Sequence, residues 1–403
     1  MKILVLNAGS SSHKSCLFDL SQPSQDGAVA APLWRSTLDW THAEGMVELT
    51  AESQTGGEYR ASLPITDKAE GIAAMLKTLV EGRTQVLDQL SDINAVGHRV
   101  VHGGRDYIDS VRVSTAVKDA IRGLIPLAPA HNPANLQGIE ALEGILGDVP
   151  QVAVFDTAFH ARMPEAAATY PGPHAWVDQG IRRYGFHGIS HQYVAQRAAQ
   201  MLGRDLKDLK ILTCHLGNGC SLAAVKGGIS IDTTMGFTPL DGLMMGSRSG
   251  SVDPGILLYL MRQGYSADQL DTLLNKESGL KGLSGLGNDM RLVVEAMEQG
   301  NPQAQLAMDV FIHRLRREMG GMIASLGGLD VVVFTAGIGE NSPLVWQRAC
   351  EPFAFLGLKL RNDLGRSKED QEIAAVDSTV RALVIHTQEE WAIAQACVEL
   401  LRS

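Results

Sequence analysis

The sequence predicts an α/β protein made of two related domains. Short β-branched runs alternate with stretches of helical periodicity along the 403 residues, which is the pattern of an α/β fold. A chain of this length exceeds what one simple core accommodates, so two domains are expected. One strand-and-turn pattern also occurs twice, at a constant offset of 208 residues.

The predicted elements follow from local composition and spacing. Five apolar, β-branched runs predict strands at 2–6, 96–101, 152–155, 210–214 and 331–335. Three- and four-residue apolar spacing predicts a helix over 303–326, and 389–402 is similarly amphipathic. Pro254 occupies a favourable first helical position before 255–262.

The repeated pattern consists of residues 3–12, ILVLNAGSSS, and residues 211–220, ILTCHLGNGC. A second apolar run follows each one, at 16–18 and 222–225, so each predicts a hairpin with a tight, donor-rich tip. Two unrelated hairpins would also explain the likeness, because Gly and Ser are common in turns. A duplicated domain would instead use both tips to hold phosphates.

Composition excludes several functional classes. The formal charge of −10 disfavours a surface for nucleic acid or anionic membrane, and no apolar stretch approaches the length of a membrane span. The five cysteines are scattered, with no CxxC pair, which predicts reduced thiols in the cytoplasm rather than disulfides or structural zinc. A phosphate ligand would therefore need a few placed cations inside a cleft.

The common nucleotide-binding motifs are missing. No glycine precedes a lysine, which excludes a Walker A loop. Residues 336–341, AGIGEN, lack the third glycine of a dinucleotide fingerprint, and 246–250, GSRSG, has Arg248 where a nucleophile elbow needs serine.

Other residues indicate anion chemistry. The first tip offers turn amides, hydroxyls and Lys14 for a phosphate, although a solvated serine turn is an equal alternative. Arg99 lies inside an apolar strand, either in an ion pair or holding an anionic substrate. Asp156 ends another strand, where open α/β sheets bind ligands. Residues 230–250 have no periodicity, which predicts an ordered catalytic loop presenting Arg248.

Two pairs of histidines, His98/His102 and His187/His191, have the i,i+4 spacing of zinc ligands. We expect no metal at either pair, because neither lies on a convincing helix beside a third ligand.

Six segments together resemble the acetate kinase family: residues 7–12, 97–104, 183–191, 215–219, 230–250 and 337–341. They occur in the family's order and cover nearly the whole chain. The resemblance implies the duplicated actin-like ATPase fold that this family shares with sugar kinases, Hsp70 and actin, with two domains around an ATP cleft. It places one domain at 1–155 plus 388–403 and the other at 156–387.

The resemblance also implies the site residues. Asn7 and Glu389 would serve Mg²⁺, with Mn²⁺ as an alternative. The catalytic set would be Asp156, Arg99, Arg248, His187 and His131. ATP would be bound by Ser10, Ser12, Lys14, His215, Leu216, Gly217, Asn218, Gly219, Asp289, Met290, Arg291, Gly337, Ile338, Gly339, Glu340 and Asn341. The acid would contact Arg99, with its alkyl group lined by Val101, Ala130, Phe186 and Pro239.

The implied reaction is reversible, in-line transfer of the ATP γ-phosphoryl group to acetate, in a homodimer. A carboxylate is ionised at neutral pH and needs no general base, so positioned cations are the main requirement. A propionate or butyrate kinase is the alternative on the same scaffold, and Ala130, where the family has leucine, bears on that choice. Gln388 replaces an expected asparagine, which leaves Glu390 open as the metal ligand. A chaperone or filament module of the same fold would not need Arg99 and Arg248.

Overall fold

A computed structural model describes residues 1–9, 11–21 and 29–402. The chain divides into two compact units. The first unit comprises Met1–Ala158 and Gln388–Ser403, and the second comprises Phe159–Thr387. Ser10, one of the predicted phosphate-binding residues, lies outside the described residues.

The described residues of the first unit form a mixed sheet and several α-helices before the chain leaves it. The strands are β1 (Lys2–Ala8), β2 (Ser12–Asp19), β3 (Trp34–Asp39), β4 (Val47–Ser53), β5 (Glu58–Leu63), β6 (Ala95–Val100), β7 (Val111–Arg112) and β8 (Gln151–Phe155), in the order β5-β4-β3-β2-β1-β6-β8-β7. The helices are α1 (Lys68–Val80), α2 (Thr115–Gly123) and α3 (Asn132–Leu146). Leucine, isoleucine and methionine side chains of α1 and the sheet form the main core.

The second unit has a smaller sheet and more helices. Its helices are α4 (Glu165–Ala168), α5 (Ala175–Asp178), α6 (Gly188–Leu202), α7 (Pro254–Arg262), α8 (Ala267–Lys276), α9 (Gly279–Ser284), α10 (Met290–Glu298), α11 (Pro302–Leu326), α12 (Ala336–Asn341) and α13 (Pro343–Cys350). Its strands are β9 (Lys210–Leu216), β10 (Cys220–Lys226), β11 (Ile229–Thr233), β12 (Val331–Thr335), β13 (Gln371–Glu372) and β14 (Arg381–Val384), in the order β11-β10-β9-β12-β14-β13. The chain then returns to the first unit as α14 (Glu389–Arg402).

The two sheets share one topology. In each, an antiparallel hairpin, β1–β2 or β9–β10, pairs with a third strand on one side, and two parallel strands follow on the other. The matching first strands begin at Lys2 and Lys210, 208 residues apart, and both are seven residues long. The last paired residues are Ala8 with His13 and Leu216 with Cys220, so the second tip is one residue shorter. The predicted duplicated α/β fold is confirmed.

One part of the predicted catalytic loop is a strand instead. Residues 230–233 belong to β11, which pairs with β10. The turn between them is Gly227-Gly228, with φ of 59° and 80°, which is the positive-φ pair that a two-residue hairpin turn requires. The prediction of a loop from 230 was therefore wrong at its start, because the Gly-Gly hairpin signal preceding it was overlooked.

The C-terminal helix α14 packs on β1 and β6 of the first unit. A Cβ at Gly97 in β6 would lie 2.6 Å from Ile393 Cγ2 and 2.7 Å from Cys397 Sγ. Glycine at this position therefore permits the close approach of helix and strand. The first residue of this helix is Glu389.

No helix among the described residues is both long enough and apolar enough to cross a bilayer.

Candidate active site

The first unit gathers an arginine, two carboxylates and an amide at one edge of its sheet. Asn7 lies near the end of β1, Arg99 near the end of β6, and Asp156 directly after β8; these strands are parallel neighbours. Glu389 is the first residue of α14. Ligands of open α/β sheets bind at the carboxyl ends of strands, so this edge is a candidate site.

Arg99 is the centre of the cluster. Its Nε and Nη2 donate to the two carboxylate oxygens of Asp156, at 3.2 and 2.5 Å. Its Nη1 donates to Asn7 Oδ1 at 3.3 Å, and its Nε lies 3.8 Å from Glu389 Oε2. A two-pronged pairing of this kind fixes the plane of a guanidinium. Asp156 therefore orients Arg99 and has both of its oxygens occupied.

Burial and the charge of Arg99's neighbours, or of Arg99 itself, shift the pKa values of this cluster in opposite directions. Burial lowers the pKa of Arg99, but the carboxylates of Asp156 and Glu389 outweigh that effect and raise this pKa above its ordinary value. Burial raises the pKa of Asp156, and Arg99 opposes the shift. Burial also raises the pKa of Glu389 to about 7; Arg99 opposes this shift, while Asp156 and Glu390 add to it. One guanidinium cannot neutralise two carboxylates, so the ionised cluster favours a further cation.

Asn7 and Glu389 carry oxygen atoms suited to Mg²⁺. This ion is usually held by one or two carboxylates, with waters and substrate phosphates completing its shell. In the described part of the chain, no group of three or more His, Cys, Asp and Glu side chains could hold a metal ion. Two such donors would suit a cation whose remaining shell is completed by water and phosphate. Glu389 ion-pairs with Arg99, which favours it over Glu390 as the second donor.

The first tip contributes a lysine beside this cluster. Lys14 is exposed and pairs with Asn7 across the hairpin. Ser12 is half-buried, and its carbonyl accepts a hydrogen bond from Gly9 N at 2.9 Å. An exposed ammonium next to the donors of the predicted cation site is a suitable point charge for a phosphate.

The other predicted residues of the first unit lie around the start of α3. His131 directly precedes this helix, and Ala130 is exposed one residue earlier. Val101 is buried, and its backbone N donates to Asn135 Oδ1 at 3.1 Å. Asn135 therefore holds the chain segment that follows Arg99.

The second unit contains a cluster of hydrogen-bonded histidines. The rings of His187 and His215 stack with centroids 4.1 Å apart. His215 Nδ1 lies 2.9 Å from Ser190 Oγ, and His187 Nδ1 lies 2.9 Å from Ser221 Oγ. His191 is buried between Ser221 and a threonine, and burial keeps its pKa well below the ordinary value. Ser190 and Ser221 were not among the predicted residues, although a polar residue inside the apolar strand β10 was a usable signal for Ser221.

His187 has an unusual backbone. It caps α6 with φ of 57° and ψ of 24°, the left-handed region that non-glycine residues rarely adopt. Its ring lies beside Gly219 of the second tip, where an added Cβ would be 3.4 Å from Nε2 and 3.5 Å from Arg248 Nη1. Phe186, the preceding residue, is buried, and its carbonyl accepts from His160 Nε2 at 3.0 Å. The second tip, His187 and Arg248 therefore meet.

The ordered loop after β11 holds Arg248 without a carboxylate partner. Arg248 Nη1 donates to the carbonyl of Pro239 at 3.2 Å, and no ion pair found among the described residues includes Arg248. Burial lowers its pKa, with only the thiol of Cys220 opposing the shift. Asp241 supports the loop by accepting from Ser251 Oγ at 2.5 Å and from Gly242 N at 2.9 Å. A half-buried cation without a counter-ion is suited to an anionic ligand.

Predicted nucleotide-binding segments line one cavity of about 810 Å³ in the second unit. It is bounded by the second tip, the start of α10, and α12 with the residues after it. The predicted residues in its lining are Gly217, Asn218, Asp289, Met290, Arg291, Gly337, Ile338 and Asn341. Asp289 caps α10 and pairs with Arg291 at 2.6 Å. The volume is in the range of cofactor sites.

Other predicted residues are absent from this lining, and further residues were missed. His215, Leu216, Gly219, Gly339 and Glu340 are not part of it. The Glu340 carboxylate instead accepts from the backbone N of Ala336 and of Thr387, at 2.8 and 3.0 Å, so it supports the turn into α12. The lining that sequence reasoning did not include comprises Asn288, Val294, Glu295, Glu298, Ser342, Pro343, Leu344 and Arg366.

Comparisons with known proteins identify the relatives of the chain. The acetokinase family model matches residues 2–395. The chain is 59% identical to an acetate kinase of Nostoc punctiforme, over the full length of both. A crystal structure of Porphyromonas gingivalis acetate kinase superposes with a TM-score of 0.91 at 38% identity, covering 99% of each chain. A propionate kinase from Francisella tularensis superposes at 0.87 with 37% identity, covering 98% of each.

Proposed function

Because the chain belongs to the acetokinase family, we propose that it is a phosphotransferase that binds ATP in the cavity of its second unit. The activity is reversible transfer of the ATP γ-phosphoryl group to acetate, which gives acetyl phosphate and ADP. The observation that carries the proposal is the cavity in the second unit, which collects three separate predicted nucleotide segments in one lining. ATP would bind there, with its phosphates toward the second tip.

The transfer itself would be direct and in line. Acetate is ionised at neutral pH and attacks without a general base, so the protein must offset the repulsion between two anions. Arg99 would hold the acetate carboxylate, while Arg248 and His187 would stabilise charge on the transferring group. His131 would make a further polar contact with the reacting groups. The unpaired charge of Arg248 supports its assignment.

Asp156 would act as a positioning residue rather than a nucleophile. A covalent aspartyl phosphate would require one carboxylate oxygen to attack phosphorus. Both oxygens of Asp156 accept hydrogen bonds from Arg99, and breaking that pairing would release the guanidinium that binds substrate. Direct transfer therefore retains more of the observed contacts.

We propose Mg²⁺ as the cofactor, held by Asn7 and Glu389. When bound, the ion supplies charge neutralisation at the β- and γ-phosphates. Arg99 contacts both Asn7 and Glu389, and the excess negative charge of the cluster supports a cation there. Lys14 would stabilise the same phosphates from the first tip.

The acid is assigned as acetate because the full-length relatives at about 60% identity are acetate kinases. The propionate alternative has less support, from a structure at 37% identity. We propose that Val101, Ala130, Phe186 and Pro239 line the position of the acid's alkyl group.

We also propose a cytoplasmic homodimer. The five cysteines are free, and four of them are buried, which suits a reducing compartment.

The proposed dimer interface is helix α7. This helix has no buried residue, and Leu258, Tyr259 and Met261 are more than half exposed on it. Apolar surface of this kind usually marks an interface, and a second copy of the chain is the occupant proposed. Size-exclusion chromatography with light scattering should show a dimer that Tyr259→Glu weakens. Val376→Glu, at a fully exposed position, is the control, and a monomeric wild type would refute the proposal.

Trapping acetyl phosphate with hydroxylamine tests the activity. ATP, Mg²⁺ and acetate should yield acetohydroxamate and ADP in equal amounts, and omission of acetate should abolish both products. A chaperone or filament module would release phosphate from ATP without forming hydroxamate. That result would refute the proposed function.

A further inference from the structure

A chain of hydrogen bonds runs from His187 into the interior of the second unit. His187 Nδ1 lies 2.9 Å from Ser221 Oγ, which lies 2.7 Å from His191 Nε2. His191 Nδ1 lies 2.7 Å from Thr213 Oγ1, which donates to the carbonyl oxygen of Ala223 at 3.3 Å. His191, Thr213 and Ser221 are fully buried. The links among these three residues therefore join groups that cannot turn to water instead.

The carbonyl at the inner end sets the direction of every donor. We assign the single Thr213 hydroxyl proton to the hydrogen bond with the Ala223 carbonyl, which can only accept. Thr213 Oγ1 must then accept from Nδ1–H of His191. Burial keeps His191 neutral, so its Nε2 carries no proton and accepts from the Ser221 hydroxyl. Ser221 has one proton, so its oxygen accepts from Nδ1–H of His187.

We propose that this chain holds the proton of neutral His187 on Nδ1, so that His187 donates from Nε2 to the phosphoryl group only as an imidazolium. The inference rests on the proposed role of His187 at that group. A neutral ring would present a lone pair at Nε2, which repels a phosphoryl oxygen. Ser221 and His191 are then positioning residues, since they act through His187.

The ionisable side chains facing His187 make this protonation depend on substrate. They include Arg248, which meets the ring beside Gly219, and His215, which stacks on it at 4.1 Å. His191 lies 6.5 Å away between ring centroids and stays neutral. A cationic His187 beside Arg248 is unfavourable until an anion binds. Binding of the nucleotide phosphates should therefore be accompanied by proton uptake.

Nitrogen-15 NMR of the full-length protein, labelled at histidine, tests the proton's position directly. His187→Gln identifies the His187 signals by their disappearance. At a pH where the wild-type His187 ring is neutral, its Nδ1 should have the chemical shift of a protonated nitrogen. Its Nε2 should have the chemical shift of an unprotonated nitrogen. Ser221→Ala and Thr213→Val should both move the ring toward the other tautomer. Ser230→Ala, which removes a hydroxyl from His160 in the same cluster, should leave it unchanged.

Kinetics provide the second readout. Wild-type kcat should fall as pH rises through the titration of His187. Ser221→Ala should lower kcat at pH 7 by about tenfold, as expected for one charge-assisted hydrogen bond, and should flatten the alkaline fall, because a neutral ring could then donate from Nε2.

A wild-type proton on Nε2, or an unchanged tautomer in both variants, would overturn the inference. Identical pH profiles in wild type and Ser221→Ala would do the same. The NMR result does not depend on turnover. If no acetohydroxamate forms, the proposed function fails while the proton's position is still decided.

Discussion

Replacing Arg248 by alanine should separate catalysis from stability. The guanidinium has one hydrogen bond to protein oxygen in the described structure, to Pro239 at 3.2 Å, and burial lowers its pKa. Such a hydrogen bond contributes about 1 kcal/mol to folding, and loss of an uncompensated charge offsets part of it. We expect the free energy of unfolding of Arg248→Ala to differ from wild type by about 1 kcal/mol or less.

Turnover should change far more. An arginine that stabilises charge on a transferring phosphoryl group contributes about 10³–10⁵ in kcat, which corresponds to about 4–7 kcal/mol. ATP affinity should fall much less than kcat, because Arg248 is absent from the lining of the cavity proposed for the nucleotide. Arg248→Lys should recover only part of the activity, since an ammonium lacks the planar fork.

Arg183→Ala is the matched control. Arg183 donates to the Thr234 carbonyl at 2.8 Å and to Asp241 at 3.3 Å, so its loss leaves a loop carboxylate without its ion pair. It should lower the free energy of unfolding by about 1–3 kcal/mol and reduce kcat less than Arg248→Ala. The measurements are acetohydroxamate formation, calorimetric titration with ATP and urea unfolding. A fall in kcat of less than about tenfold, or an equal loss of ATP affinity, would refute the reasoning.

Three further predictions concern the metal, the acid and acid stability. Glu389→Ala should raise the Mg²⁺ concentration needed for half-maximal activity sharply, whereas Glu390→Ala should not; the reverse result would show that the ligand is the neighbouring carboxylate. Propionate should be used within about tenfold of acetate in kcat/KM, and Ala130→Leu should sharpen the preference for acetate; a preference above about a hundredfold that Ala130→Leu leaves unchanged would contradict this. Burial lowers the pKa of His160 to about 4 from 6.5, so the unfolded state takes up its proton first; urea unfolding should show stability complete above pH 6.5 and falling toward pH 4, and a flat profile between pH 7 and 5 would contradict it.

Strand and helix positions were largely readable from local patterns. The predicted helix at 303–326 is observed as Pro302–Leu326, and 389–402 is observed as Glu389–Arg402. The strand predicted at 331–335 is Val331–Thr335. These elements are long or strongly apolar, so residue periodicity and β-branching dominate over tertiary context. The strand β11 was missed because the Gly227-Gly228 hairpin turn that precedes it was overlooked.

The contacts of the candidate site were less accessible to sequence reasoning. From the sequence, Arg99 could either form an ion pair or contact the substrate. In the structure its guanidinium donates to Asp156 and also lies 3.8 Å from a carboxylate oxygen of Glu389. Glu389 is 290 positions away from Arg99 along the chain, and only the packing of α14 on β6 brings them together. The catalytic roles of these residues remain proposals that the variants above test.

The sequence by itself determined the duplicated α/β fold, because strand periodicity and a hairpin repeated 208 residues later are local properties. It also determined the family, through motifs that span the chain. Only the tertiary structure decided that Arg99 pairs with both Asp156 and Glu389, and that His187 reaches Thr213 through Ser221 and His191. The physical reason is that hydrogen-bond partners are selected by which strand ends and helix faces become neighbours. No residue spacing along the chain encodes that adjacency.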